Sequence, residues 1–413
     1  MIETKFKHTD TGVIPYDWEV KTLGEVGYLQ NGFAYNSRTF GDMGYTVIRI
    51  SDIKDGKIVL DDAIKSITKA PDAFIVKKGD FLIAMSGATT GKIGLYFNEF
   101  PSYINQRVGN IICVEADSGF VRYSFNSICF AEYLKTIITA GAQPNISKKQ
   151  IEEFAFATPP TLAEQEKIAN ALSKIDQLIN DLGALIEKKK AIKQGTIQEL
   201  LTAKRRLKGF TGEWKSVKIG DIGNTYSGLF GKTASDFGKG EANYITFLNI
   251  LCNPIIDTTI FEKVQVHPSE RQNAVHKGDL FFNTSSETPE EVGICSVILD
   301  EIENLYINSF CFGFRILDET IDGKYLAYYF RCKEGRDLMT TLAQGATRYN
   351  LSKLSFSQAN VTLPPTLAEQ RAIANILSSM DTEITNLEQK RDKYIAIKQG
   401  MMQNLLTGKI RLI

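Results

Sequence analysis

The 413-residue chain is 43% hydrophobic and 23% charged, a globular composition with room for two or more cores, which excludes a disordered or low-complexity protein. Lys plus Arg equals Asp plus Glu at 48 each, so there is no global basic excess, and affinity for nucleic acid would have to come from local patches or from a partner. No apolar run approaches the roughly 18 residues of a membrane span, and the opening MIETKFKHTDTG has neither the basic nor the apolar region of a signal peptide, so the expected compartment is the cytoplasm, with no membrane partner.

Residues 1–158 read as an N-terminal arm and a mixed α/β domain with more strand than helix. The stretch from Val47 to Ser51 alternates apolar and polar, while Asp80 to Met85 and Gly109 to Val114 are short buried runs. Between them the loops are rich in donors: Ser86, Thr89, Thr90 and Lys92 in SGATTGK, then Asn105, Gln106 and Arg107, then Gln143 and Asn145, with Arg38 and Arg49 upstream. Side chains of these types read base edges and hold phosphates, although loops are polar in any fold. A short helix is expected before the turn at Gly141 and another before Gly345.

Residues 159–207 read as one long helix. It opens after Pro159-Pro160, and Thr161 with Glu164 three residues on has the spacing of a capping box. Ile168, Leu172, Ile175, Ile179, Leu182 and Ile186 then follow a 4-3-4-3-4 spacing, the seam of a coiled coil. Continued to Leu200-Leu201, the pattern gives a rod of about 60 Å. Gly183, Gly195 and Gly400 weaken the two helices locally, and Gly195 and Gly400 are the places where a kink is expected if one forms. The runs Lys188 to Lys190 and Lys204 to Arg206 read as solvated helix faces, a basic rod end facing phosphates being the alternative.

Residues 208–363 form a second mixed domain, with Asn283, Thr284, Ser285 and Ser286 in one polar loop and Arg348, Tyr349 and Asn350 in another. Residues 364–413 form a second long helix with the seam Ile373, Leu377, Met380, Ile384 and Leu387, and Arg391 where Ile186 stood. PPTLAEQ occurs at 159 and again at 364, a shift of 364 − 159 = 205, and Asp176, Lys193-Gln194-Gly195 and Leu200-Leu201-Thr202 repeat at the same shift. Upstream the match is fainter and drifts: Lys78-Gly79-Asp80 meets Lys277-Gly278-Asp279 at 199, Tyr103-Ile104-Asn105 meets Tyr306-Ile307-Asn308 at 203, and Asn145 meets Asn350 at 205. The chain is a tandem duplication. The fold class that follows is α/β (α+β), two mixed domains separated by two long helices. A rod of this kind buries its seam either on its own domain or on the other copy; the expectation is an antiparallel coiled coil with pseudo-two-fold symmetry.

Catalytic motifs fail on inspection. GATTGK at 87–92 has one residue too few between its glycines for a phosphate-cradling loop, and Ile93 stands where Ser or Thr is needed. TPPT and LPPT lack the aromatic that follows Pro-Pro in amino-methyltransferases. His8, His267 and His276 are too dispersed for a metal triad or a Ser/His/Asp arrangement. Glu19-Val20-Lys21 has no well-spaced acidic partner. The six cysteines show no C-x-x-C spacing and read as buried reduced thiols.

Two diverged domains, each followed by a near-identical long helix, resemble the specificity (S) subunit of type I restriction-modification enzymes over essentially the full length. The resemblance rests on PPTLAEQxxIAxxLSxxD and KQGxxQxLLT in both copies, on IPYDWEVKTLGEV and FTGEWKSVKIGDI opening the two domains, and on GAQPNIS and GATRYNLS closing them. It implies two target recognition domains that each read part of a split site in double-stranded DNA, about one helical turn of 34–36 Å apart, and a coiled coil that spaces them. It also implies two methyltransferase (M) subunits as partners, with restriction (R) subunits where a system carries them. The chain itself would be non-catalytic and hold no cofactor or metal, with S-adenosylmethionine, ATP and Mg on the partners. The competing expectations are a coiled-coil scaffold that binds no nucleic acid and an RNA-binding adaptor. A last expectation concerns the ends: the lead-in found before the second domain has its counterpart in the segment from Lys5 to Trp18, so the two termini should lie side by side.

Overall fold

In the computed structural model, residues 5–138 and 144–413 are described. The packing divides the chain into two compact units, Met1–Gly183 with Gln389–Ile413, and Ala184–Glu388. The cuts fall inside the two long helices and are 388 − 183 = 205 residues apart, the period of the sequence repeat. Each unit therefore owns one mixed domain, the early half of one helix and the late half of the other.

In the first unit the strands Gly27–Asn31, Val108–Cys113, Phe81–Ala84 and Ile93–Leu95 are neighbours in that order, and in the second unit Gly223–Ser227, Cys311–Ile316, Leu280–Asn283 and Cys295–Val297 follow the same order. Side chains alternate across a strand, and here both faces are covered. Phe81 and Ile83 enter one core and Leu82 and Ala84 another, just as Leu280 and Phe282 part from Phe281. That is why these strands read as unbroken apolar runs. A second sheet in each unit is built on a parallel pair, Tyr45–Ile48 with Ser102–Ile104 and Phe237–Ile245 with Leu305–Ile307. Helices Ile128–Ile137 and Lys333–Leu342 occupy the places expected before the two turns, and Gly141 itself lies outside the described residues.

The long helices run Leu162–Leu200 and Leu367–Leu405, 39 residues each, about 58 Å at 1.5 Å per residue. Helical structure runs without interruption through Gly183, Gly195 and Gly400. Each unit holds an antiparallel pair. In the first, Ile168 and Leu172 share a core with Leu405 and Leu406 while Asp176 pairs with Lys398; in the second, Ile373 and Leu377 share one with Leu200 and Leu201 while Asp381 pairs with Lys193. Both readings of the seam hold at once, because the same residues also pack on the unit's own domain, on Trp18 and Phe120 in one case and on Tyr325 and Val361 in the other. Along the seam Ile168, Leu172, Leu182, Ile186, Ile373, Leu377 and Ile384 are buried, and Ile175, Ile179, Met380 and Leu387 are half-buried.

The structure assigns a task to each polar letter of PPTLAEQ. The Thr161 and Thr366 hydroxyls accept from the amides of Glu164 and Glu369, both 3.3 Å. The return half of the capping box is replaced, because each glutamate turns instead to an arginine. Arg411 donates through Nε and Nη2 to Glu164 (2.5 and 2.8 Å), and Arg206 does the same to Glu369 (2.6 and 2.8 Å). Both carboxylates are buried. The next residue stitches the helix to its domain: Gln165 accepts from the amide of Asp117 and donates to the Pro159 carbonyl, and Gln370 repeats this with Asp322 and Pro364. Arg411 also forks onto Asp17 (2.9 and 3.0 Å), which brings the two terminal segments together as expected. That pair holds the Asp17 carboxyl below the usual carboxylate range, chiefly through the Arg411 hydrogen bond.

Two expectations change. The basic runs are only in part free faces: Lys188, Lys204 and Arg205 are exposed as expected, but Lys189 pairs across to Glu383 (2.7 Å), Lys190 to Glu388 (2.8 Å) and Arg206 to Glu369. Not every cysteine is buried either: Cys129 and Cys252 are exposed. Desolvation pushes the thiols of Cys113, Cys311 and Cys332 up to about 12 and raises that of Cys295.

Maleimide labelling of the native protein at neutral pH should therefore modify Cys129 and Cys252 quickly, the half-buried Cys113 slowly, and Cys295, Cys311 and Cys332 only after unfolding, as read by intact mass. Arg206→Ala strands the buried Glu369 carboxylate, and stripping one partner from a buried pair costs about 3–5 kcal/mol. The denaturation midpoint should fall accordingly, and Arg206→Met combined with Glu369→Gln should recover most of the loss.

Candidate nucleic-acid interface

The donor-rich loops converge at one end of the central strands. In the first unit the strand Phe81–Ala84 runs out into Met85, whose amide donates to the Arg107 carbonyl (2.9 Å) and whose carbonyl accepts from Ile146 (2.9 Å). Ser86 bridges Asn145, and the Thr90 hydroxyl donates to the carbonyls of Gly87 (2.7 Å) and Pro144 (3.1 Å). Three loops distant in sequence thus form one cluster. In the second unit the Thr284 amide and hydroxyl both donate to the Phe310 carbonyl (3.0 and 2.7 Å), and Leu351 donates to the Thr284 carbonyl (2.8 Å). Ser285 pairs with Asn350 and Ser286 with Tyr349 in a small three-stranded sheet. The two clusters correspond at 284 − 85 = 199, 310 − 107 = 203 and 351 − 146 = 205, the drifting shifts read from the sequence.

Burial sorts the candidates by role. Lys92, Gln106, Arg107 and Asn145 are exposed in the first cluster, and Asn105 is half-buried. Arg348 and Asn350 are exposed in the second, with Tyr349 and Ser285 half-buried. The hydroxyls of Ser86 and Thr89 are buried and that of Thr90 is held by backbone carbonyls, so these three face the fold and not a groove. Asn283 is buried, its amide donating to the Ser285 and Glu291 carbonyls and accepting from Ile294 (3.3, 2.8 and 2.6 Å), which makes it a loop brace. Ser286 donates to Glu291 (2.8 Å) and Thr284 to backbone. The Arg49 guanidinium is spent on Asp52 and on the Asp62 carbonyl, again a structural duty. Arg38 is exposed on the one-turn helix Ser37–Thr39, and no hydrogen bond among the described residues ties it to the cluster. Gln143 lies outside the described residues.

Sequence reasoning passed over Phe247, Glu291 and Phe310. A hollow of about 250 Å³ beside the second cluster is lined by Phe247, Asn283, Ser286, Arg348 and two carboxylates, Glu287 and Glu291. Phe310, which stands where the first cluster has Arg107, is exposed. The 203 shift was enough to pair Phe310 with Arg107, but a Phe inside an apolar strand run reads as core. The exposed chemistry of the clusters thus differs: Lys92 and Arg107 are cationic in one, and an arginine, two acids and an aromatic share the other. Acidic side chains accept from the cytosine amino group, whereas arginine donates to guanine. No helix among the described residues is long and apolar enough to cross a membrane.

The comparisons with known proteins fall on the same reading. The family model described as "Type I restriction modification DNA specificity domain" matches twice, over residues 15–194 and 211–396. The type I restriction enzyme MjaVIII specificity subunit of Methanocaldococcus jannaschii is 25% identical over 99% of this chain and 97% of its own length. Among solved structures, the type I restriction-modification S subunit of M. genitalium superposes with a TM-score of 0.62 at 16% identity, covering 98% of both chains. A chain described with the assembly and conformational transition of the type I R-M system gives 0.56 at 16% identity, over 96% of this chain and 99% of that one. With its duplicated domain, doubled long helix and two equivalent loop clusters, the chain belongs to the family of type I restriction-modification specificity subunits.

Proposed function

We propose that each diverged domain reads one half of a bipartite, asymmetric site in double-stranded DNA, that the helix pair sets the spacing between the half-sites, and that the same helices dock two methyltransferase subunits, with restriction subunits as further partners in systems that carry them. The observation that carries this reading is that the two loop clusters share one backbone plan yet expose different side chains. A common plan supports a common task, and Lys92 and Arg107 against Arg348, Glu287 and Phe310 support different base preferences. The chain then acts as a non-catalytic cytoplasmic reader. Methyl transfer from S-adenosylmethionine and any ATP- and Mg-dependent cleavage belong to the partners. With zero net charge the isolated subunit neutralises few phosphates, so its own affinity is modest and the M subunits complete the grip.

Methylation mapping of DNA from cells expressing this chain with its M subunit, beside cells expressing M alone, tests the reading. A split, asymmetric methylated motif present only with this chain is the expected result. No new motif from a soluble complex would favour a coiled-coil scaffold, and stronger competition by RNA than by duplex DNA would favour an RNA adaptor. Two substitutions separate reading from bracing. Arg348→Ala should leave stability within about 0.5 kcal/mol and relax discrimination in one half-site only. Asn283→Ala should cost about 1–3 kcal/mol by orphaning buried backbone groups, seen as a lower denaturation midpoint.

A further inference from the structure

Each unit contains one three-residue polar assembly that joins the recognition domain to both long helices. In the first, the Tyr123 hydroxyl, on the domain helix Ser118–Phe125, donates to Asp176 on the first long helix (2.6 Å), and Lys398 on the second long helix pairs with the other oxygen of that carboxylate (2.6 Å). In the second, Tyr328 on Gly323–Tyr329 donates to Asp381 (2.7 Å), which Lys193 engages from the other side. The lysine ammonium also lies over the tyrosine ring in both, at 5.9 and 6.0 Å. All three members recur at the single shift of 205 (328 − 123, 381 − 176, 398 − 193), although the domains around the tyrosines have diverged.

The cores on which the long helices pack beside these triads are apolar, with Ile168, Leu172 and Phe120 in one unit and Ile373, Leu377 and Tyr325 in the other, while the first triad also borders a hollow lined by Lys57, Arg122, Asn126 and Gln177. Apolar burial is strong and non-directional, so it holds a domain on a rod without fixing its angle, and a heptad seam repeats along its length. A hydrogen bond weakens steeply with misalignment, and polar groups at a seam specify register. Both tyrosines are buried, and desolvation with the facing carboxylate raises their phenols above the usual range, so each remains a donor.

We propose that the two Tyr–Asp–Lys triads are positioning residues that fix the angle of each recognition domain on the helix pair and thereby hold the accepted spacing between half-sites to one length. The inference rests on the bipartite reading proposed above and adds to it the atoms that enforce the spacing.

The test uses the complex assembled with its methyltransferase subunits and duplexes of constant half-sites whose spacer differs by one or two base pairs either way. Wild type should modify one spacer length. In the double variant Tyr123→Phe with Tyr328→Phe, which deletes only the hydroxyls, the preference for that length over its immediate neighbours should fall about tenfold, with the half-site bases unchanged. Asp176→Asn with Asp381→Asn, which keeps shape and an acceptor but loses the lysine attraction, should give a smaller shift of the same ratio and serves if the Phe variants do not assemble. An undiminished preference in the variants, whatever happens to total activity or Tm, overturns the proposal, because a merely structural role lowers all spacers together. A wild-type complex with no split motif would instead remove the bipartite reading on which the proposal stands.

Discussion

The constraint on which the rest depends is the desolvated carboxylate in the first turn of each long helix. Glu164 and Glu369 are buried where the helix meets its domain, and a lone charge there is costly unless it is paired and hydrogen-bonded. Each is met in parallel by an arginine that follows the end of the other helix, Arg411 and Arg206. Such forked pairs fix geometry as well as charge. An arginine past the end of one helix that must reach the start of the other allows only an antiparallel arrangement, and the apolar seam then closes in one register.

From that clasp outward the molecule is layered by directionality. The glutamines after the clasped glutamates tie the helix start to the cap of a domain helix, and the tyrosine–aspartate–lysine assemblies lie three turns further along. Between them the cores carry the bulk of the stabilisation with little orientational preference. The aliphatic cluster of Ile48, Ile53, Ile58, Val76 and Leu82 is an example. The same division explains the sequence divergence inside one chain. Apolar surfaces tolerate exchange of one hydrophobic residue for another, so the domains drift, while the polar ties need particular atoms and keep their 205-residue period.

The loop clusters are the far end of this arrangement. Their backbone plan is inherited from the sheet: strand ends at 84 and 283 and returning segments at 144–146 and 350–351 make the same hydrogen bonds in both units. What differs is the side chains left outside. Under the proposed function that is the form expected of a reader whose scaffold and specificity are separable, with recognition carried by loops on a rigid sheet.

Much of this was legible from the sequence because it is written as spacing. The 4-3-4 seam, the Pro-Pro start and the shift of 205 specified the two helices, their length and the duplication, since these depend on local periodicity and on self-comparison. The drifting shifts of 199 and 203 even marked which loops would correspond. What the sequence could not decide was how polar side chains are used. Glu164 looked like half of a capping box and is a clasp; Lys189 and Lys190 also pair across to Glu383 and Glu388 of the other helix; Asn283, Arg49 and Thr90, offered as readers, have their side chains hydrogen-bonded within the fold. A polar group's role is set by which partner comes within about 3 Å, often across a hundred residues or more, and only the tertiary structure brings that partner near.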